Sequence, residues 1–189
     1  MKKMGLIRAK ILGTIVINGI FIGCFPRNVS KADAERNFIK NEQEFSSLVY
    51  YFESILPDSG KYNVKFGIGK KKDQIDLVVF PLNSDPIIGG DGLELNSPQL
   101  DSTLALLQWD KETLTTLKTM LSKTNCQWIR TTDFYGQPIE IYFRSSGMGS
   151  YSYYVFQKPI NDSLIQTHGK PIGDSSFGLR VVLKYSSAL

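Results

Sequence analysis

The strongest constraint on the fold of this chain is a change of hydrophobic period that happens twice. Phe38, Phe45, Leu48, Val49, Phe52, Ile55 and Leu56 fall at spacings of three, four and seven, the apolar stripe of an amphipathic helix starting near Ala34. Pro57, Asp58, Ser59 and Gly60 stop it, and then Tyr62, Val64, Phe66 and Ile68 alternate with Asn63, Lys65 and Gly67. Period two is the mark of a half-buried strand. Ile75 to Phe80 predicts the returning strand, with Gly69 to Asp73 as a polar hairpin tip. Lys70, Lys71 and Lys72 in that tip read as solvated charge that discourages edge pairing.

The same change recurs downstream. Asp110 is a good N-cap, and Leu114, Leu117, Met120 and Leu121 form the stripe of a second helix. Cys126 to Arg130 and Ile139 to Phe143 predict another antiparallel pair, Tyr151 to Phe156 a third strand, and Phe177 to Tyr185 a closing one. Without a strand–helix–strand rhythm, the expected class is α+β: an antiparallel sheet with two amphipathic helices packed on it. Two helix-plus-hairpin units, 34 to 80 and 110 to 156, suggest a pseudo-duplicated sheet. Pro81 to Gln108 and Pro159 to Ser176 read as irregular connections, rich in turn-forming residues, with Gly92 to Leu95 as the only strand-like piece of the first.

Residues 1 to 23 have a different character. Lys2, Lys3, Arg8 and Lys10 make a basic start, and Ile11 to Gly23 is an uncharged, mostly apolar run. That is the layout of a signal peptide, and the run is shorter than the roughly 20 residues an ordinary helix needs to cross a bilayer. Four of the 22 basic side chains lie in this leader and none of the 18 acidic ones, so the remainder holds 18 of each. The basic balance therefore belongs to the leader, and nucleic acid is not an expected partner.

Phe21-Ile22-Gly23-Cys24 resembles the lipobox of bacterial lipoprotein precursors, with Phe21 standing where that family usually has Leu. The resemblance covers only the leader. It implies cleavage before Cys24, acylation of Cys24 and attachment to the membrane through two or three acyl chains, which hold a protein stably at a bilayer. Phe25, where an Asp would signal retention, implies the outer membrane in a two-membrane organism. The expected organisation is a signal peptide over 1 to 23, a tether over 24 to 33 and one α+β domain over 34 to 189. With Cys24 acylated, Cys126 has no disulfide partner and reads as a small buried hydrophobe.

Candidate chemistry is sparse. His168 is the single histidine, so sites needing two imidazoles are excluded. Gly173-Asp174-Ser175-Ser176 offers Ser175 as a nucleophile with His168 as its base, but His168 precedes the serine and no Gly-x-Ser-x-Gly elbow is present. Asn83, Asp85, Asp91 and Glu94 do not have the spacing of a calcium loop, and neither a metal nor a cofactor is expected. Asp133 and Glu140 lie near strand ends, where an acid/base pair of the glycosidase type could form, but 18 acidic residues make such pairings expected by chance. Aromatics are the one excess, and a sheet must turn some of them outward. The expected function is a membrane-tethered, non-catalytic module of the bacterial cell envelope, binding a protein or a glycan in the manner of an immunity protein or inhibitor. Tyr151, Tyr153, Asp91 and Glu94 are its candidate contacts, and an envelope hydrolase using Ser175 and His168 is the alternative.

Overall fold

The structure, a computed structural model, describes residues 29–57, 62–82, 86–133, 137–147, 149–157, 161, 163, 169–174 and 178–187. Helix α1 (Lys31–Lys40) opens at Ser30, whose hydroxyl accepts from the Asp33 amide while the Asp33 carboxylate accepts from the Ser30 amide. This reciprocal capping box starts the helix three residues inside the stretch read as a tether. The stripe expected as one helix is interrupted at Asn41, ahead of α2 (Glu42–Ile55). Asn41 Nδ2 donates to the Asn37 carbonyl at 3.0 Å and to Asn37 Oδ1 at 3.1 Å, side-chain bonds that compete with the helical ladder. The stripe survives the break, with Phe38, Phe45, Leu48, Val49 and Phe52 all buried.

Strands β1 (Tyr62–Ile68) and β2 (Gln74–Pro81) form the expected hairpin. Pro81 to Gln108, by contrast, is not an irregular connection: it holds β3 (Ile88–Glu94) and α3 (Pro98–Leu107). The Ser97 hydroxyl caps α3 by accepting from the Leu100 amide, and Pro98 follows in the first turn, where a missing N–H costs nothing. The proline that reads as a loop marker is a helix start. Gly89, at φ +84°, runs so close to β2 that a Cβ there would overlap the Leu77 carbonyl oxygen. Helix α4 (Lys111–Lys123), capped by Asp110, leads into β4 (Trp128–Arg130), β5 (Ile139–Ser146) and β6 (Gly149–Phe156). The second expected connection also contains a strand, β7 (Lys170–Asp174), before β8 (Arg180–Ser187) closes the chain.

Among the described residues, eight strands form one antiparallel sheet in the order β3-β2-β1-β4-β5-β6-β8-β7, an α+β architecture with four described helices where two were expected. Each half of the chain supplies two helices and then a three-stranded meander, and the meanders join through β1 and β4, with Phe66 opposite Ile129. Strand order is palindromic about that joint out to β3 and β6, and β8 and β7 extend the second side beyond β6. The edge strand β7 carries Lys170 and Pro171, both of which discourage further pairing.

The helices cover one face of the sheet. Val64, Phe66, Ile75, Leu77, Ile129, Ile141, Tyr153 and Leu183 point into that layer and join one core. Phe38, Phe45 and Phe143 surround Tyr153 with ring centroids 4.8 to 6.2 Å from it. Truncating any such phenylalanine costs about 3 to 5 kcal/mol. At the far end, Trp109 Nε1 donates to the Ile55 carbonyl at 2.6 Å, pinning the link between α3 and α4 to the end of α2.

Candidate functional site

Strand residues that alternate with the core positions face away from the helices. Along β1 these are Lys65 and Gly67, along β4 Trp128 and Arg130, along β5 Glu140 and Tyr142, along β6 Ser152, Tyr154 and Phe156, and along β8 Val182 and Lys184. Their cross-strand register assembles them into a band over the middle of the sheet.

Trp128 and Tyr142 are directly opposed on β4 and β5, and their rings stack at 4.8 Å with an interplanar angle of 10°. On the other side, Trp128 is opposed by Gly67, where a Cβ would lie 2.9 Å from Trp128 Cβ. The missing side chain is what lets the indole sit there. Lys65 Nζ and the Arg130 guanidinium lie 5.8 and 5.3 Å from the Trp128 ring centroid, within cation–π range. Lys65 also pairs with Asp91 on β3 at 2.9 Å.

Arg130 reaches across to Glu140, donating from Nε at 2.7 Å and from Nη2 at 2.6 Å to the same carboxylate oxygen. Tyr154 lies beside this pair, and burial, reinforced by the Glu140 carboxylate, pushes its hydroxyl up to about 12. Tyr154, Phe156 and Val182 form a small apolar cluster separate from the main core, and Lys184 Nζ lies 5.2 Å from the Tyr154 ring centroid. At the open end of β5, β6 and β8, a shallow cleft of about 330 Å³ is lined by Tyr142, Ser145, Ser150 and Ser186, with the Tyr142 and Ser145 hydroxyls 2.7 Å apart.

The sequence candidates scatter across the molecule. Tyr153 is a correction: it is fully buried on the helix side, where its hydroxyl donates to the Ala34 carbonyl at 2.8 Å and accepts from Asn37 Nδ2 at 3.2 Å. Its register position follows the alternation of β6, and the helices cover that face. Tyr151 shares that face and packs against Tyr185 at its margin, 5.1 Å between centroids. Asp91 does join the band, through Lys65, whereas Glu94 is exposed at the end of β3 opposite Gln74. Asp133 is exposed, and the Glu140 carboxylate is already engaged by Arg130. Cys24, Asn83, Asp85, His168 and Ser175 lie outside the described residues. Among the described residues, no three His, Cys, Asp or Glu side chains are grouped to hold a metal ion, and no helix is long and apolar enough to cross a membrane.

A second opening of about 420 Å³ lies between α4 and β4, beside Asn125, Cys126 and Arg144. Burial pushes the Cys126 thiol up to about 12, which makes it a poor nucleophile, and its Sγ donates to the Thr124 carbonyl.

Sequence reasoning missed Trp128, Arg130, Lys65 and Tyr142 as a group. The signal was present, since Trp128 and Arg130 flank the core residue Ile129 and Glu140 and Tyr142 flank Ile141. Only the pairing of β1 with β4 brings in Lys65. What the band offers chemically is a contact surface: a Trp, a Tyr and an Arg held by one another before any partner arrives, which lowers the entropy cost of docking. No protein-family model, no curated protein and no solved structure matches this chain.

Proposed function

We propose that this chain is a membrane-tethered, non-catalytic interaction module of the bacterial envelope, which docks a protein partner on the Trp128 face of its sheet, the face turned away from helices α1 to α4. The observation that carries the docking reading is the pre-ordered set of Trp128, Tyr142 and Arg130 on that face. Trp, Tyr and Arg are the residue types that dominate binding energy at protein interfaces. The same geometry disfavours a glycan at Trp128. A sugar stacks on a bare aromatic face, and here Tyr142 covers one side of the indole while Lys65 and Arg130 lie over the ring. The tether reading is supported by the lipobox-like Phe21-Ile22-Gly23-Cys24 and the basic, apolar leader before it.

Two measurements test the two parts. Intact-mass analysis of the membrane fraction should find a chain beginning at Cys24 with acyl mass added, absent from Cys24→Ser; an unprocessed chain in both overturns the tether. A photo-crosslinking amino acid at Tyr142, in the membrane-anchored protein, should yield one discrete protein adduct that Trp128→Ala or Lys65→Ala abolishes without changing the far-UV circular dichroism. A glycan adduct, or a protein adduct indifferent to both substitutions, overturns the docking reading.

A further inference from the structure

The lipid-anchor reading constrains how the domain stands on its membrane, and the inference below rests on that reading. Six peptide steps separate Cys24 from Ser30, the cap of α1. At a fully extended 3.3 to 3.6 Å per residue they span no more than about 22 Å. A domain of this length has a radius of gyration of about 15 Å, so the first turn of α1 is held within roughly half a domain width of the headgroups.

That turn is not a loose continuation of the tether. Its capping box closes the helix start, and Asn37 ties the helix to the body: Asn37 Nδ2 donates to the Thr124 carbonyl at 2.9 Å and to the Tyr153 hydroxyl, which in turn donates to the Ala34 carbonyl. Restraint at Cys24 is therefore restraint on the whole domain.

The outward side of α1 has the composition of a surface that meets headgroups. Arg36, Ile39 and Lys40 stand at spacings of three and four, on one helix face, and Ile39 is 69% exposed. Basic side chains beside an apolar one let the apolar group enter the interface while the charges stay at headgroup level. The acidic residues of α1 are engaged by neighbouring cations, Asp33 with Arg36 and Glu35 with Lys31 and Lys170.

We infer that the Arg36–Ile39–Lys40 face of α1 rests on the bilayer surface and that the Trp128 band, on the opposite side of the sheet, points away from it. The orientation presents the docking face to whatever lies beyond the membrane.

The test uses the full chain expressed in membranes, with a diazirine amino acid placed singly at 39, at 87 or at 128. Positions 39 and 87 are both strongly exposed, 69% and 63%, so neither replacement threatens folding. Lipid adducts several-fold more abundant at 39 than at 87 or 128, together with acyl mass on Cys24 in the same sample, are the expected result. Acylated protein with no excess at 39, or with more lipid adduct at 128, overturns the orientation and leaves the anchor standing. A chain without acyl mass removes the anchor and the orientation with it.

Discussion

Arg130 and Glu140 face each other across β4 and β5, with two guanidinium nitrogens on one carboxylate oxygen and the Glu140 side chain only 7% exposed. A carboxylate taken this far out of water is held by its partner, and its removal leaves an uncompensated charge. Arg130→Ala should therefore destabilise the fold by about 3 kcal/mol, the low end for broken buried pairs because Arg130 itself is partly exposed. Glu140→Gln keeps an acceptor and should cost about 1 kcal/mol. Urea denaturation of the two variants checks the order; equal and negligible losses would mean the pair is not coupled to folding.

Tyr153 ties α1 to the sheet through its hydroxyl, bonded to Ala34 and Asn37. Tyr153→Phe keeps the ring packing and should cost about 1 to 2 kcal/mol. The loss should be local. Amides of α1 are expected to exchange with deuterium faster in the variant while those of β5 and β6 change little, and uniform acceleration would contradict the assignment.

Gly67 makes room for Trp128. Gly67→Ala places a methyl 2.9 Å from Trp128 Cβ, flanked by Asp76, so the indole must shift. Overpacking of this kind costs about 1 to 3 kcal/mol. Near-UV circular dichroism should lose the contribution of the Trp128–Tyr142 stack, and an unchanged spectrum in a folded variant would sink the prediction.

Alkaline pH should weaken the protein. Cys126 has its folded pKa raised to about 12 against 9.0 for an ordinary thiol, and Tyr154 is raised from 10.0 to about 12. The unfolded chain loses these protons first, so their contribution is intact below about pH 9 and falls as pH rises toward 12. The urea midpoint should drop as pH rises from about 9 toward 12, less so in Cys126→Ala, and a flat profile would refute the linkage. By the same burial, a thiol reagent near neutral pH should modify Cys126 only at the rate of unfolding.

Local pattern made much of this architecture readable. Strand β1 announces itself by alternation, β2 by the apolar run Ile75 to Phe80, the later part of β6 by its aromatic stretch Tyr151 to Phe156, and α4 by its Asp110 cap and leucine stripe. Two kinds of feature escaped. Helix α3 hides behind Pro98, because one residue type serves both loops and first helical turns. The start of β3 and all of β7 are poor in apolar residues: only Gly92 to Leu95 reads as strand-like, Gly89 and Gly90 leave the rest of β3 little to bury, and Lys170 and Pro171 mark β7 as an edge. Such strands exist because a neighbouring strand offers them hydrogen bonds.

The sequence by itself determined the α+β class, the order of the strong elements and the lipobox-like leader, because period, caps and short motifs are local properties of a chain. Tertiary structure alone decided which side of each strand meets the helices and which strands become neighbours. Alternation divides Tyr151, Tyr153 and Val155 from Ser152, Tyr154 and Phe156 without saying which set is inside, and only the packing of the helices puts Tyr153 there. The pairing of β1 with β4 joins residues more than 60 positions apart and sets Lys65, Trp128 and Arg130 side by side. A contact over that distance is chosen by the burial of the whole core, to which no local pattern has access.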